Sequence, residues 1–77
     1  MPDIFDRMKE RWPSAILARR DVPKFTGGAM SAKHLANLDS QGQGPANRFR
    51  IGRNVCYPVE DFVAWLRERQ KERRKET

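Results

Sequence analysis

The sequence predicts a single small domain, mostly α-helical with a small β-hairpin. Three observations carry that expectation. Apolar residues recur at helical spacing in three separate stretches, residues 2–12, 31–41 and 59–66. Residues 48–57 instead alternate on either side of a Gly-Arg-Asn break. A chain of 77 residues has room for one core only, and buries about 60% of its unfolded surface. Hydrophobic content of 38% is low, yet four Phe, two Trp and one Tyr argue against full disorder. The chain divides into an N-terminal amphipathic arm (1–19), the main domain (20–66) and a charged helical tail (67–77).

Residues 2–12 read as a short amphipathic helix. Pro2 suits a first helical position, Asp3 and Asp6 suit the positive N-terminal end, and Phe5, Met8 and Trp12 align at helical spacing. Pro13 stops it. Ile4 widens the apolar side, so this helix must bury a face on its own domain or on a partner. Residues 15–19 form a brief apolar run that periodicity leaves open between a short strand and a helix start. Asp21 can cap a short helix with Pro23 in its first turn, where a missing N–H costs nothing, and Gly27-Gly28 end it. Ser31 caps the next helix, which runs to about Gln41 with Leu35 and Leu38 as its buried stripe and Gly42 as its stop.

Between residues 48 and 57, Phe49 and Ile51 point one way and Arg48 and Arg50 the other. Beyond the turn, Val55 and Tyr57 balance Cys56. Gly52-Arg53-Asn54 suits a tight hairpin turn, because Gly and Asn tolerate positive φ. The expected product is a two-stranded ribbon with one apolar face and an arginine-bearing edge and tip. Pro58 ends it. Glu60 and Asp61 open the strongest helix, with Val59, Phe62, Val63 and Leu66 at i, i+3, i+4, i+7 and Trp65 broadening the face. From Arg67 onward apolar residues vanish, and the helix is expected to continue as a solvated, fraying extension.

Several functions drop out at this level. The longest apolar run is Ala15–Ala18, far short of the roughly 20 residues of a membrane helix. Asp3, Asp6, Lys9 and Glu10 stand where a signal peptide would be apolar, so a cytoplasmic protein of a bacterial cell or phage-infected host is expected. A lone Cys56 and a lone His34 supply neither a disulfide nor a His/Cys metal cluster. No dyad or triad accompanies Cys56, and no cofactor motif appears, so no enzyme is expected. Cys56 and the aromatics Tyr57, Phe62 and Trp65 read as packing residues. The formal charge is +6, and it is uneven. Residues 48–54 hold three arginines and no acid, and the last eleven residues hold six bases against three acids. Focused positive charge attracts polyanions, with nucleic acid the first candidate.

Helix, Gly turn, helix, basic hairpin and closing helix is the order of a winged helix-turn-helix. One stretch makes the likeness more specific. From Ser31 it reads Ser-x-x-x-Leu-x-Asn-x-x-Ser-x-Gly-x-Gly-Pro, then Arg-Ile-Gly-Arg-Asn-Val-x-Tyr, then Glu-Asp-Phe-Val-Ala-Trp-Leu. This resembles the small excisionase-like (AlpA-type) winged-helix DNA-binding proteins of phages and mobile elements, related in fold to the MerR DNA-binding domain. The resemblance implies that Ser31–Gln41 is a recognition helix, Arg50–Val55 a wing, and Asp61 and Trp65 part of a closing helix that props up the wing. It also implies a recombination directionality factor that bends double-stranded DNA and assists an integrase or recombinase, with self-association on DNA and transcriptional regulation as further roles. The chain departs from the family in its first helix, where Asp-Val-Pro-Lys-Phe-Thr-Gly-Gly replaces an Ala- and Glu-rich segment.

With Leu35 and Leu38 turned inward, Ser31, Lys33, His34, Asn37 and Gln41 are the expected groove-facing set. Asn37 and Gln41 can each pair with adenine, and Lys33 can donate to guanine or a phosphate. Arg48, Arg50, Gly52, Arg53 and Asn54 are the expected wing contacts, with Gly52 allowing close backbone approach and arginine suited to a narrow minor groove. The competing accounts are a merely solvated helix face and an edge strand protected from aggregation by charge. A different class of function is a protein-interaction module, antirepressor-like, acting through Phe5, Met8 and Trp12. RNA binding lacks an aromatic sheet platform.

Overall fold

Local capping chemistry sets where each helix starts and stops. The computed structural model describes residues 3–75, with side chains to Gln70. Helix α1 (Ile4–Arg11) opens on Asp3, whose carboxylate accepts the Asp6 N–H at 2.9 Å. The expected place of Pro2 in its first turn lies outside the described residues. Strand β1 (Ile16–Ala18) follows, then a 3₁₀ turn (Arg19–Asp21) and the single-turn helix α2 (Val22–Phe25) with Pro23 in its first turn. Asp21 precedes α2 as expected but makes no side-chain cap.

Helix α3 (Ala32–Ser40) begins where Ser31 Oγ accepts the His34 N–H at 3.0 Å. It ends in a Schellman closure around Gly42 at φ +74°, with Gln43 N–H on Leu38 O at 2.9 Å and Gly42 N–H on Asp39 O at 3.1 Å. Strands β2 (Phe49–Ile51) and β3 (Asn54–Pro58) form a hairpin, and helix α4 (Val59–Lys75) closes the chain. The hairpin turn is two residues, Gly52 and Arg53, and only Gly52 takes positive φ.

The described residues thus form four α-helices and a three-stranded antiparallel sheet in the order β1-β3-β2. The expected fold, mostly α with a lone hairpin, needs a third strand. Residues 16–18 pair with the outer side of β3, with Leu17 opposite Tyr57 and Ala18 opposite Cys56. A strand of three residues with its partner far along the chain has no periodicity to show, which is why the sequence left this segment open.

One core serves all these elements. Leu17, Val22, Phe25, Leu35, Tyr57, Val59, Phe62 and Val63 are buried together. Through it runs a chain of rings: Trp12 meets Phe25 edge-on at 5.4 Å, Phe25 meets Phe62 at 5.6 Å, and Phe62 touches both Tyr57 and Trp65. Phe5, Met8 and Trp12 pack against it, so α1 lies on its own domain. The Trp12 indole N–H donates to Ile16 O at 2.9 Å, turning the chain from α1 into β1.

Residues 1–19 were expected as an arm and residues 67–77 as a tail, but the packing crosses both boundaries. Arg67 forks between Asp3 (2.8 Å) and Asp6 (2.7 Å), joining α4 to the start of α1. These contacts raise its pKa and, with the Asp6 N–H, hold the Asp3 carboxyl below its usual range. The apolar side of the hairpin also differs from expectation. Cys56 and Tyr57 are buried, whereas Phe49 and Ile51 on β2 are exposed, because Arg50 lies opposite Val55 on the core side of the sheet and Phe49 and Ile51 project from the reverse side.

Leu17 discriminates between an arm and a core segment. Truncation of a fully buried Leu removes its transfer energy and leaves a cavity, so Leu17→Ala is expected to cost about 2–5 kcal/mol. Urea unfolding followed by circular dichroism measures it. A change within about 0.5 kcal/mol, the range of ordinary surface substitutions, would mean that residues 16–18 do not belong to the core.

Candidate nucleic-acid interface

Helix α3 and the β2–β3 hairpin stand side by side with a cleft between them. The cleft holds about 430 Å³ and is lined by Arg19, Ala36, Asp39, Ser40, Arg48, Phe49, Arg50 and Val55. At 100° per residue, Ala36 and Ser40 head the hairpin side of α3, and Lys33, Asn37 and Gln41 follow around its exposed arc. Lys33, Asn37, Gln41, Arg48, Arg50, Gly52, Arg53 and Asn54 are all exposed. The hairpin wall of the cleft thus carries Arg48 and Arg50, and Arg53 stands beyond it in the exposed turn.

Two expected contact residues sit differently. Ser31 is exposed, but its hydroxyl oxygen is engaged in capping α3. His34 lies farthest around the helix from the hairpin. It borders a second groove with Phe5, Met8, Met30 and Leu66, and so faces the α1–α4 side. Asn54 opposes Ile51 in the hairpin ladder and shares its edge of the tip.

The position of α3 depends on a residue that the sequence reading passed over. Asp39 is only 5% exposed and follows Leu35 and Leu38 on the buried arc of α3. Its Oδ2 accepts Arg19 Nη2 at 2.6 Å and the hydroxyl of Tyr57. Arg19 Nε in turn donates to Tyr57 Oη at 3.0 Å. Asp39 Oδ1 accepts no hydrogen bond from the described residues, and Arg48 Nη1 approaches it to 3.9 Å. One carboxylate thereby links α3, the 3₁₀ turn, β3 and the foot of the hairpin. A Cβ on Gly44 would sit 1.8 Å from Asp39 Oδ1, so the loop after α3 needs glycine there to pass the carboxylate.

Two further contacts hold that loop to α4. The Trp65 indole N–H donates to Gln43 O at 2.9 Å, and the Asn47 amide donates to Asp61 Oδ2 at 3.1 Å, with Asn47 at φ +63°. The closing helix thus positions the segment that delivers the chain to β2. Arg19 and Ser40 were missing from the expected site residues. The spacing Leu35, Leu38, Asp39 was the available signal, since an acid on a buried arc requires a partner.

Neither a family model nor a characterised protein nor a solved structure matches this chain. Among the described residues no three metal-ligating side chains converge, and no helix is long and apolar enough to cross a membrane.

Burial pushes the Tyr57 hydroxyl pKa up to about 12, the hydrogen bond to Asp39 adds to the rise, and Arg19 opposes it. The neutral phenol is thus the form the fold prefers. Stability from this contact is complete below pH 10, the ordinary tyrosine value, and is lost as pH rises toward 12. Two pH units correspond to roughly 2–3 kcal/mol. Tyr57 is the chain's one tyrosine, so phenolate absorbance reads it directly. A midpoint near 12 in native protein and near 10 in denatured protein is expected; a native midpoint near 10 would refute the buried cluster.

Proposed function

We propose that this is a winged helix-turn-helix protein that binds double-stranded DNA. Helix α3 enters the major groove, with Lys33, Asn37 and Gln41 at base edges, and the β2–β3 hairpin is the wing, with Arg48, Arg50 and Arg53 on the adjacent backbone and minor groove. The resemblance of residues 31–66 to excisionase-like proteins extends the proposal to a recombination directionality factor that bends DNA and steers an integrase toward excision.

The observation that supports this best is the juxtaposition of the polar α3 face with an acid-free arginine hairpin across an open cleft. A helix and a ribbon so placed suit a groove and its flanking phosphates. The protein-interaction reading required Phe5, Met8 and Trp12 to be free, and all three pack on the core. No observation favours it.

Binding should weaken steeply with salt, with a slope of about −4 to −6 in log K against log salt for a module contacting this many phosphates. Arg53→Ala should weaken binding to every duplex, while Asn37→Ala should reduce preference at particular base pairs. Fluorescence anisotropy on cognate and random duplexes measures both. A salt-independent affinity would exclude DNA as the partner, and equal losses on both duplexes for Asn37→Ala would show that α3 does not read bases. A footprint over direct repeats beside an attachment site supports the excision role; a single promoter footprint replaces it with transcriptional control.

A further inference from the structure

One residue lining the cleft between α3 and the hairpin carries a polar atom that the fold leaves without a partner. Asp39 is 5% exposed, and its Oδ2 is engaged by Arg19 and Tyr57. Its Oδ1 is buried and accepts no hydrogen bond from the described residues. A buried carboxylate oxygen left unpaired is costly, so its surroundings are expected to supply a donor. Arg48 Nη1 stands 3.9 Å away, beyond hydrogen-bond reach, on a side chain that is half exposed and has room to turn.

The charge around the cleft is one-sided. Arg19, Arg48 and Arg50 line it against Asp39 alone, and Arg19 already serves that carboxylate. Arg50 lies opposite Val55, which lines the same cleft, and Arg48 precedes it by two residues. Both arginines therefore open on the side of the hairpin that faces α3. Two residues of extended chain span about 7 Å, close enough for two arginine side chains to converge on one anion. The helix wall opposite brings no competing charge, since Ala36 is apolar and the Ser40 hydroxyl donates to Asn37 O at 2.8 Å. Two cations without an acid of their own, in an open cleft, suit a singly charged oxyanion such as a phosphodiester.

We propose that this cleft seats one phosphodiester group of the duplex, held by Arg48 and Arg50 together, while Asp39 Oδ1 takes the inner edge of the Arg48 guanidinium. A planar guanidinium carries five N–H donors in fixed directions, so one edge serves the carboxylate and another the phosphate. Asp39 is then a positioning residue that orients Arg48 without touching DNA. A lysine at position 48 would carry the same charge on a single ammonium, with no second edge for the carboxylate. This rests on the DNA-binding reading and adds to it where the backbone is gripped: at a single phosphate, on the strand that passes between α3 and the wing.

The test follows the salt dependence of binding to a random duplex by fluorescence anisotropy. It compares the full wild-type chain with Arg48→Ala, Arg50→Ala, the double variant and Arg48→Lys. Both positions are exposed, so these changes spare the core. Each alanine variant is expected to bind several-fold more weakly with the slope of wild type, because the remaining arginine still neutralises the shared phosphate. The double variant is expected to lose about 0.9 from the slope, the share of one phosphate. Arg48→Lys is expected to keep the slope and bind more weakly than wild type. A loss of about 0.9 in each single variant, and about twice that in the double, puts the arginines on separate phosphates and overturns the shared seat. Unchanged affinity in the double variant shows that the cleft takes no phosphate. Full affinity in Arg48→Lys shows that Asp39 does not orient Arg48. In these three outcomes wild type still binds with a steep salt response, so the DNA reading stands. Wild type that binds no duplex, or binds with a flat salt response, removes that reading and the seat with it.

Discussion

The carboxylate of Asp39 is the constraint on which the geometry of the candidate interface depends. An acid on the buried arc of α3 is tolerable only with its charge matched, and Oδ2 takes both the Arg19 guanidinium and the Tyr57 hydroxyl. The guanidinium loses hydration by burial, which lowers its pKa, but the bonds to Tyr57 and Asp39 outweigh that and the net shift is upward. Such a cluster adds little net stability over well-packed apolar side chains, whereas removing one partner commonly costs about 3–5 kcal/mol. Its effect is therefore positional. A slide of α3 along the sheet separates Asp39 from Tyr57, and with it the two walls of the cleft. Gly44 passes against the same carboxylate, so the loop toward the hairpin is indexed to it as well.

Energy comes instead from the aromatic chain beneath. Phe62 on α4 touches Phe25, Tyr57 and Trp65, and Trp12 extends the series to α1. Helix, sheet and N-terminal segment are thus stabilised through one side chain's neighbours. The Arg67 fork on Asp3 and Asp6 lies near the surface, where ion pairs contribute little; it orients α1 while packing of Phe5, Met8 and Trp12 holds it. The placement of α1 against α4 leaves the polar arc of α3 uncovered.

What could be read from the sequence was local. Ser31, Gly42, Pro23 and Gly52 act on residues within a turn of themselves, so helix limits and the hairpin followed from them directly. The three-residue strand β1 depends on pairing with β3, and Arg19 reaches Tyr57 across 38 positions, so neither had a local signature. The same division holds at the interface. Lys33, Asn37 and Gln41 emerged from helical spacing and Arg48, Arg50 and Arg53 from the charge run. Arg19 became visible only with the fold. His34 satisfied the helical argument but borders the groove of Phe5 and Met8 and not the cleft, because that argument does not include the direction in which the hairpin stands.

The formal charge of +6 says nothing of where the positive charge lies. Arg19 is matched by Asp39, Arg67 by Asp3 and Asp6, and Arg69 lies over the Trp65 ring at 5.0 Å. These cations serve the fold. Arg50 and Arg53 face no acid on their own strand pair, and Arg48 stands at the 3.9 Å margin of Asp39. Exposed charges more than about 10 Å apart are largely screened at 0.1 M salt, so total charge acts weakly at a distance and local arrangement governs contact. Arg48 and Arg50 line the same cleft and stand two residues apart on the chain, with Arg53 next in the exposed turn.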